Sequence, residues 1–284
     1  MTPSAPGNKK ACVIGWPVAH SRSPLIHRFW LDQHKIAGSY ELAAVAPSDF
    51  PVFVRELGGR GFMGGNVTLP HKQTAFELCD VTLAAAKRLK AVNTLWIERG
   101  KLCGDNTDCA GFLGALDQEA PGWERTVGTV VVLGAGGATR AIVYALQLRG
   151  MKRIYLVNRT KGRADELASD FGAPVETVDF GDLPDVMAGA GLLVNATSLG
   201  MRGQPPLTVD LAPLPPHAVV SDIVYVPLET DLLRAARARG LKTVSGIGML
   251  LHQAAPSFER WFGRRPEVTA ELRSLVETDI LAAG

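Results

Sequence analysis

The sequence lacks the features that mark membrane proteins and nucleic-acid-binding proteins. No stretch of its 284 residues approaches the roughly 18 uncharged apolar residues of a transmembrane helix. Lys and Arg number 30 against 28 Asp and Glu, so there is no basic excess to neutralise a phosphate backbone. Residues 1–10 carry no apolar signal-peptide core, and their polar composition predicts a frayed tail. We therefore expect a protein that binds neither membranes nor nucleic acid.

Cysteine is scarce, and its spacing argues against two further classes. The cysteines form no closely spaced pairs of the kind that bind zinc, and their number does not suggest a disulfide framework in so long a chain. They are Cys12, Cys79, Cys103 and Cys109. We interpret His20, His27 and His34 as scaffold residues, because no second histidine or carboxylate stands at metal-ligand spacing. The sequence thus predicts reduced thiols, a cytoplasmic protein and no metal site.

What is present is an alternation of short apolar runs with amphipathic stretches along the whole chain. This pattern predicts an α/β protein with mostly parallel sheets, and the length favours two domains. Residues 11–15 predict the first strand, and Ser23 and Pro24 predict the N-cap and first turn of a helix. Residues 92–98 and 101–106 predict two strands joined by a tight turn, and hence one antiparallel pair in the first sheet.

The composition changes near Pro121, where a second series of strands and helices begins. The β-branched run 129–133 is followed by a glycine cluster and a predicted helix over 138–149, which is a strand, loop and helix unit. Further strands are predicted at 153–158, 192–196 and 219–224, and further helices at 163–171, 230–239 and 246–261. The second half therefore predicts another α/β domain with closing helices.

The loop over 134–139 lies directly after a predicted strand and before a predicted helix. Glycines there let backbone N–H groups approach a pyrophosphate at the helix N-terminus. The third glycine of the usual dinucleotide fingerprint is replaced by Thr139, and tight packing alone is the alternative interpretation. We predict nucleotide binding from the position of the loop.

The end of the next strand predicts which nucleotide is bound. Proteins that bind NAD usually place an acidic residue there, whereas this chain has Asn158, Arg159 and Thr160, followed by Arg163. A guanidinium can hold a 2′-phosphate that a carboxylate would repel. The sequence therefore favours NADP over NAD, and a solvated basic turn is the alternative.

Three polar clusters fall where predicted strands end or helices begin, which is where open α/β sheets present groups to a ligand. They are Ser21 with Ser23, Asn66 with Thr68 and Lys72, and Asn93 with Asn106, Thr107 and Asp108. Hydroxyls beside a helix N-terminus attract a carboxylate. Each cluster also has a structural interpretation, in which Ser23 and Asp108 are helix caps and Lys72 is a surface lysine.

Hydride transfer from a secondary alcohol would use all three clusters. Such a reaction needs a partner for the hydroxyl proton as well as a nicotinamide. We hypothesise that Lys72 and Asp108 form that partner, because a lysine beside an aspartate couples proton exchange to orientation of the hydroxyl.

The run Gly15-Trp-Pro-Val-Ala-His-Ser-Arg-Ser-Pro24 resembles the substrate-carboxylate motif of shikimate dehydrogenases. Other motifs resemble that family in the same order along essentially the whole chain. They are Asn66–Lys72, Ala91–Thr94, Gly104–Asp108, Gly134–Ala138, Asn158–Thr160, Asn195–Met201, Asp222–Thr230 and Gly246–Leu250 with Gln253. The resemblance implies NADPH-dependent reduction of 3-dehydroshikimate to shikimate, a step of chorismate biosynthesis.

The resemblance also implies a role for each matching residue. Lys72 and Asp108 would be the catalytic pair, and the substrate would be bound by Ser21, Ser23, Asn66, Thr68, Asn93, Tyr225 and Gln253. NADP would be bound by Gly134, Ala135, Gly136, Gly137 and Ala138 at the pyrophosphate, by Asn158, Arg159, Thr160 and Arg163 at the 2′-phosphate, and by Thr197, Gly246 and Met249. Of these, Gly246 and Met249 would lie near the nicotinamide.

The family architecture implies two domains with the active site between them. A substrate domain of residues 1–113 would be completed by C-terminal helices over 247–284, and a Rossmann-like NADP domain would span 114–246. We expect a monomer or a homodimer. Arg28 and Trp16 depart from the residues common in the family, which leaves the catalytic roles intact and the outer face of the first helix open to an interface.

Two other functions remain open at this point. A quinate or shikimate dehydrogenase of broader specificity would accept NAD, which the basic segment after the second-domain strand disfavours. A ligand sensor that has kept the fold and lost turnover is disfavoured by the presence of both Lys72 and Asp108.

Overall fold

The computed structural model of the chain describes residues 9–283 and divides into two compact units. The first unit comprises residues 9–107 with Gln253–Val276, and the second comprises Asp108–His252 with residues 277–283. Each unit contains one six-stranded sheet with helices, which confirms the predicted α/β class. The predicted domain boundaries after residues 113 and 246 stay predictions.

The first unit alternates strands and helices. Its strands are β1 (Lys9–Gly15), β2 (Gly38–Ala44), β3 (Phe62–Val67), β4 (Val81–Thr82), β5 (Thr94–Glu98) and β6 (Lys101–Asp105). Its helices before residue 107 are α1 (Ser23–Gln33), α2 (Phe50–Arg55), α3 (Lys72–Leu78) and α4 (Ala84–Leu89).

The second unit begins with a helix and continues as regular strand and helix repeats. Its elements are α5 (Asp108–Glu119), α6 (Trp123–Thr126), β7 (Thr129–Leu133), α7 (Gly137–Leu148), β8 (Arg153–Val157), α8 (Lys161–Phe171), β9 (Val175–Thr177), α9 (Leu183–Met187), β10 (Leu192–Asn195), β11 (Val219–Asp222), α10 (Asp231–Ala238) and β12 (Lys242–Val244). The closing helices are α11 (Gly246–Phe262) and α12 (Ala270–Ala282), and each contains a division point between the units.

The first sheet has the strand order β2-β1-β3-β5-β6-β4, and β5 runs antiparallel to both of its neighbours. The predicted antiparallel pair of β5 and β6 is present, but the prediction of only one such pair is wrong, because β5 also runs antiparallel to β3. The turn between β5 and β6 is the predicted one, with Arg99 at φ 51° and Gly100 at φ 74°. Two left-handed residues are what a two-residue turn needs to match the twist of the strands. Through this reversal β5 starts at the edge where β1, β3 and β6 end.

Residues 253–276 pack on this sheet within the first unit. The Trp261 indole N–H donates to the Leu95 carbonyl over 2.9 Å. A Cβ at Gly64 would lie 2.1 Å from that carbonyl oxygen and 2.3 Å from the Trp261 Nε1. Gly64 is therefore required by the close approach of the indole to the sheet.

The second sheet is entirely parallel, in the order β12-β11-β10-β7-β8-β9. This order is that of dinucleotide-binding folds, in which the first strand of the sheet lies beside the fourth. The crossover direction changes between β7 and β10, and ligands bind outside the carboxyl ends of the strands at such a point. Leu133 and Asn195 end these two strands.

Several predicted boundaries need correction. The tail predicted over 1–10 is wrong at Lys9 and Lys10, which belong to β1 because they pair with β2, and residues 1–8 lie outside the described residues. Ser23 is the first residue of α1 and Arg22 occupies the N-cap, so the predicted Ser23 cap is wrong. Pro24 does lie in the first turn.

Two classes of feature do not occur within residues 9–283. No helix among them combines the length and apolar character needed to cross a membrane. No group of three or more His, Cys, Asp or Glu side chains in that range could hold a metal ion. All four cysteines are free thiols.

His27 lies fully buried in the first unit. Its ring stacks on the Tyr40 ring with centroids 4.0 Å apart and planes 4° apart, and Trp30 meets it edge-on. Burial lowers the pKa of His27 from 6.5 to about 3. The imidazole is thus neutral at physiological pH, as a scaffold residue would be.

This burial predicts an acid-sensitive contribution to folding. The unfolded chain binds a proton at His27 below about pH 6.5 and the folded chain does not, so stability falls as pH drops below that value. We expect His27→Phe, which keeps a ring in the stack, to flatten the fall by up to about 1.4 kcal/mol per pH unit. The free energy of urea unfolding at about pH 7, 6 and 5 measures the slope.

The exposed His217 provides the matched control. His217→Gln should keep the wild-type slope. If His27→Phe loses stability with falling pH as steeply as wild type, His27 does not carry this effect.

Candidate active site

One edge of the first sheet collects six of the nine predicted catalytic and substrate-binding residues. The carboxyl ends of β1, β3 and β6 lie there together with the amino end of β5, since β5 is reversed. Asn66 lies near the end of β3, and the segments that follow or precede the strand ends carry Ser21, Ser23, Thr68, Lys72 and Asn93. The topology therefore explains why residues far apart in sequence lie along one edge.

Ser21 and Ser23 lie at the start of α1. The Ser23 N–H donates to Ser21 Oγ over 3.3 Å, and the Ser21 N–H donates to the Val18 carbonyl over 3.0 Å. Ser23 is 7% exposed, while Ser21 is half-buried. Unpaired N–H groups at a helix N-terminus and adjacent hydroxyls together suit an anionic group.

Asn66 is buried at the centre of a hydrogen-bond network. Its Oδ1 accepts from the Tyr40 hydroxyl over 2.7 Å, and its Nδ2 donates to the Asn93 carbonyl over 3.1 Å. The same Nδ2 lies 3.2 Å from Thr94 Oγ1 and 3.0 Å from Ser257 Oγ. Asn66 therefore links three strands to α11, and its side chain is engaged on both the donor and the acceptor side.

The Tyr40 hydroxyl is the donor to Asn66 in this network. Burial raises the pKa of the Tyr40 phenol well above its usual value. The phenol is therefore neutral and keeps its proton for Asn66. Sequence reasoning missed Tyr40, because it lies on β2, a strand that the sequence pattern did not predict.

Thr68 and Lys72 follow β3. The Thr68 N–H donates to the Ile14 carbonyl over 2.9 Å, which holds this segment beside the end of β1. Lys72 is the first residue of α3 and is half-buried, and its carbonyl accepts from the Val92 N–H over 2.8 Å. The segment from Thr68 to Lys72 is thus held at both of its ends by backbone hydrogen bonds, one to the end of β1 and one to Val92.

Asn93 lies immediately before β5 and is buried, 3% exposed. Its Oδ1 accepts from the Thr107 N–H over 2.9 Å and from the Thr94 hydroxyl over 2.9 Å. The Thr107 hydroxyl also donates to it over 3.2 Å. These bonds connect the start of β5 to the segment that leads from β6 to Asp108.

The remaining members of the predicted site lie on other elements. Asp108 is the first residue of α5 in the second unit, as predicted, and is half-buried. Tyr225 follows β11 in the second unit, while Gln253 lies on α11 in the first, one helical turn before Ser257. The pairing of Lys72 with Asp108 and the roles of Tyr225 and Gln253 stay predictions.

The predicted pyrophosphate loop lies at the crossover point of the second sheet. Gly134 has φ +109°, and a Cβ there would lie 2.9 Å from Thr197 Cγ2 and 3.1 Å from the Ala196 carbonyl oxygen. Gly136 and Gly137 have no atom within 4 Å of an added Cβ. The Gly136 N–H donates to the Thr139 hydroxyl over 3.0 Å. The loop therefore leaves room for a ligand beside the N-terminus of α7, and the buried Thr139 caps that helix.

The predicted 2′-phosphate segment follows β8. Asn158 Nδ2 donates to the Thr160 carbonyl over 2.8 Å, which closes a tight turn. The exposed Lys161 pairs with Asp179 over 2.7 Å, whereas Arg159 and Arg163 are exposed and have no ion-pair partner within residues 9–283. This turn suits a phosphate better than the diol of an unphosphorylated ribose.

Thr197 and its surroundings form a second buried network. Asn195 Oδ1 accepts from the Thr197 N–H over 3.0 Å and hydroxyl over 2.7 Å, and Asn195 Nδ2 donates to Asp222 over 2.9 Å. Burial raises the pKa of Asp222, while hydrogen bonds from Thr230 and Val224 oppose the rise. Asn195 and Asp222 each begin one of the motifs found in the sequence, but sequence reasoning gave neither of them this role in supporting the Thr197 loop.

Gly246 and Met249 begin α11. A Cβ at Gly246 would lie 2.3 Å from the Ile223 carbonyl oxygen, so close packing against the segment after β11 requires this glycine. Met249 is half-buried one turn later. Their predicted place near a nicotinamide stays a prediction.

Three family models match the chain. The shikimate dehydrogenase substrate binding domain matches residues 13–95, the shikimate/quinate 5-dehydrogenase model matches 120–201, and the shikimate 5′-dehydrogenase C-terminal domain matches 246–270. Among curated proteins, the shikimate dehydrogenase (NADP(+)) of Methylocella silvestris is 62% identical over 280 residues, which is 99% of each chain.

Solved structures agree with the sequence relatives. The shikimate 5-dehydrogenase of Thermus thermophilus in complex with NADP(H) and shikimate has a TM-score of 0.84 at 37% identity, over 97% of this chain and all (100%) of that one. The quinate dehydrogenase of Corynebacterium glutamicum in complex with NAD has a TM-score of 0.88 at 32% identity, over 95% of this chain and 99% of that one.

The glycine loop makes two substitutions distinguishable. We expect Gly134→Ala to lower the free energy of unfolding by about 1–3 kcal/mol, because its φ is left-handed and its Cβ would crowd Thr197. Gly136→Ala should leave stability unchanged but weaken binding of NADP, the predicted cofactor, because the added methyl enters the space beside the helix N-terminus. Thermal unfolding and calorimetric titration with NADP measure the two effects.

Unchanged NADP affinity in Gly136→Ala would contradict a pyrophosphate role for this loop. Unchanged thermal stability in Gly134→Ala would contradict the packing requirement at that position.

Proposed function

The chain belongs to the shikimate dehydrogenase family of oxidoreductases, and on that premise we propose that it catalyses the reversible reduction of 3-dehydroshikimate to shikimate with NADPH. The observation that carries the proposal is the sheet edge where Ser21, Asn66 and Asn93 lie along one side of the first unit. An edge rich in hydroxyls and amides suits a small polyhydroxy carboxylate. The strand order of the second unit supplies a fold for the nucleotide.

The substrate carboxylate is assigned to Ser21 and Ser23. Their hydroxyls and the N-terminus of α1 provide hydrogen bonds to an anion without a fixed cation. The ring hydroxyls are assigned to Asn66, Thr68, Asn93, Tyr225 and Gln253, either by direct contact or by shaping the pocket.

Lys72 and Asp108 are assigned to the hydroxyl proton. NADP, when bound, supplies or takes the hydride at the ring carbon. The Lys72 ammonium donates to the oxygen of the reacting carbonyl and passes a proton to it. The Asp108 carboxylate orients the ammonium, or the substrate hydroxyl in the reverse direction, by accepting a hydrogen bond from it. Both residues lie at the first position of a helix, on rigid elements.

NADP is assigned as the cofactor on the basis of the turn after β8. Arg159 and Arg163 are exposed cations beside the closed Asn158 turn, and no acidic residue stands in that turn. Gly134, Ala135, Gly136, Gly137 and Ala138 are assigned to the pyrophosphate, and Thr197, Gly246 and Met249 to the rest of the nucleotide site. A place in chorismate biosynthesis, a cytoplasmic location and a monomer or homodimer complete the proposal.

One observation favours a second candidate function. The similarity to a quinate dehydrogenase crystallised with NAD leaves open a chain that accepts quinate or NAD. Arg159 and Arg163 argue for NADP, since a site for NAD usually has an acidic residue at this strand end.

The direct test is a two-by-two assay with shikimate or quinate and NADP or NAD. Absorbance of the reduced nicotinamide reports turnover in each combination. We expect rapid reduction of NADP with shikimate and slow reaction in the other three combinations. Comparable rates with quinate or NAD would favour the broader enzyme, and substrate binding without turnover would indicate a sensor.

Removal of the Lys72 side chain tests its catalytic role. We expect Lys72→Ala to lower kcat by about 100- to 10,000-fold with a much smaller change in KM for shikimate, because the ammonium acts on the developing charge of the oxygen. Lys87→Ala is the matched control, since Lys87 is an exposed lysine on α4 of the same unit. Equal losses in kcat and substrate binding would point to positioning instead.

A further inference from the structure

The buried hydrogen bonds around Asn93 form a directed chain through Thr94 and Ser257, two residues to which the proposed function assigns no role. We propose that Thr94 and Ser257 are positioning residues that fix the Asn93 side chain as a hydrogen-bond donor to the substrate. Both are almost fully buried, Thr94 at 2% exposure and Ser257 at 0%, and their hydroxyls bond to other protein groups of the network. The inference rests on the proposed function, because it assigns Asn93 to a ring hydroxyl.

The orientation of the Asn93 amide follows from its backbone partner. The Thr107 N–H can only donate, so the Asn93 atom 2.9 Å away must be the carbonyl oxygen Oδ1. The Nδ2 group then lies in the same amide plane on the opposite side of Cγ from Oδ1. Any hydrogen bond from this side chain to a substrate oxygen therefore uses Nδ2 as the donor.

Thr94 supplies the second bond that holds this orientation. Oδ1 has no proton, so the Thr94 hydroxyl must donate in their 2.9 Å contact. A hydroxyl carries one proton, and Thr94 therefore accepts in its 2.8 Å contact with the Ser257 hydroxyl. Ser257 donates to Thr94 and so directs the Thr94 proton towards Asn93.

Asn66 fixes the far end of the chain. The Asn93 backbone carbonyl can only accept, so the Asn66 atom 3.1 Å from it is Nδ2. That same nitrogen lies 3.0 Å from the Ser257 Oγ and donates to it. The chain therefore runs from Asn66 through Ser257 and Thr94 to Asn93. Each of its two hydroxyls, those of Ser257 and Thr94, accepts a hydrogen bond from the residue before it and donates one to the residue after it.

The chain links α11 to the site through Ser257. Gln253, a predicted substrate residue, lies four positions earlier on the same helix face as Ser257. The contacts of Ser257 with Asn66 and Thr94 therefore set the distance between that face of α11 and the edge of the sheet. Loss of the Ser257 hydroxyl removes one of the bonds that hold Thr94 in its Asn93-directed position.

Two variants test this positioning role in the shikimate and NADP assay. We expect Ser257→Ala to raise KM for shikimate about fivefold and Thr94→Val, which removes the donor itself, to raise it about tenfold or more. KM for NADP and kcat should change by less than about twofold, because neither residue is assigned to the cofactor or the proton. Ser221→Ala is the control, since Ser221 is a buried serine (3% exposed) on β11.

Coupling to Asn93 separates positioning from general destabilisation. In an Asn93→Ala background, Ser257→Ala and Thr94→Val should add less than about twofold to KM, because the group that they orient is gone. Equal effects with and without Asn93, or an unchanged KM for shikimate in both single variants, would overturn the inference. A wild-type chain without shikimate-dependent turnover would instead refute the proposed function, so the two failures are distinguishable.

If Ser257→Ala does not fold, Thr94→Val still decides the question. Valine keeps the branched shape of threonine but has a methyl group in place of the hydroxyl, so the KM of this variant reports the loss of the bond to Asn93. Thermal unfolding of each variant before the assay shows which of them retains the wild-type fold.

Discussion

The reversal of β5 is the constraint on which the first unit depends. A fully parallel sheet would place the end of β5 beside the ends of β1, β3 and β6, and Asn93 would lie at the opposite edge. Because β5 runs the other way, its first residues and the last residues of β6 meet at the edge where β1 and β3 end. The turn of Arg99 and Gly100, both left-handed, makes that reversal possible in two residues.

Burial of polar groups at that edge then fixes their geometry. A buried amide or hydroxyl without a partner costs about 1–3 kcal/mol, so the side chains between β3, β5 and α11 satisfy one another. Asn66 and Asn93 each have a backbone group as one partner, and this determines which way each amide faces. The chemical character offered to a ligand is thus set by bonds on the protein side, before any ligand binds.

Much of this fold could be predicted from the sequence, because its signals are local. The run 129–133, the glycine loop and the start of α5 at Asp108 coincide with what the pattern predicts. What was missed depends on tertiary contacts. The β2 strand carries Tyr40 with weak alternation, Val81 and Thr82 of β4 are too short to show a period, and the second antiparallel pairing of β5 is a property of the sheet. Ser23 was predicted to be an N-cap because serine is common at that position, whereas in the structure it is the first residue of α1.

The supporting residues were harder to find than the exposed ones for a physical reason. Glycine loops and polar residues at strand ends stand out because their types are unusual in their local context. Thr94, Ser257, Asn195 and Asp222 look like ordinary interior polar residues, and their importance lies in the partners that the fold brings to them. The same arrangement of hydrogen bonds occurs once in each unit, where an asparagine Oδ1 accepts from both a backbone N–H and a hydroxyl. It holds Asn93 in the first unit and Thr197, through Asn195, in the second. When the oxygen of an amide side chain is bound in this way, its NH2 group faces the opposite direction. An amide side chain can offer either a donor or an acceptor to a ligand, and here the fold determines that it offers the donor.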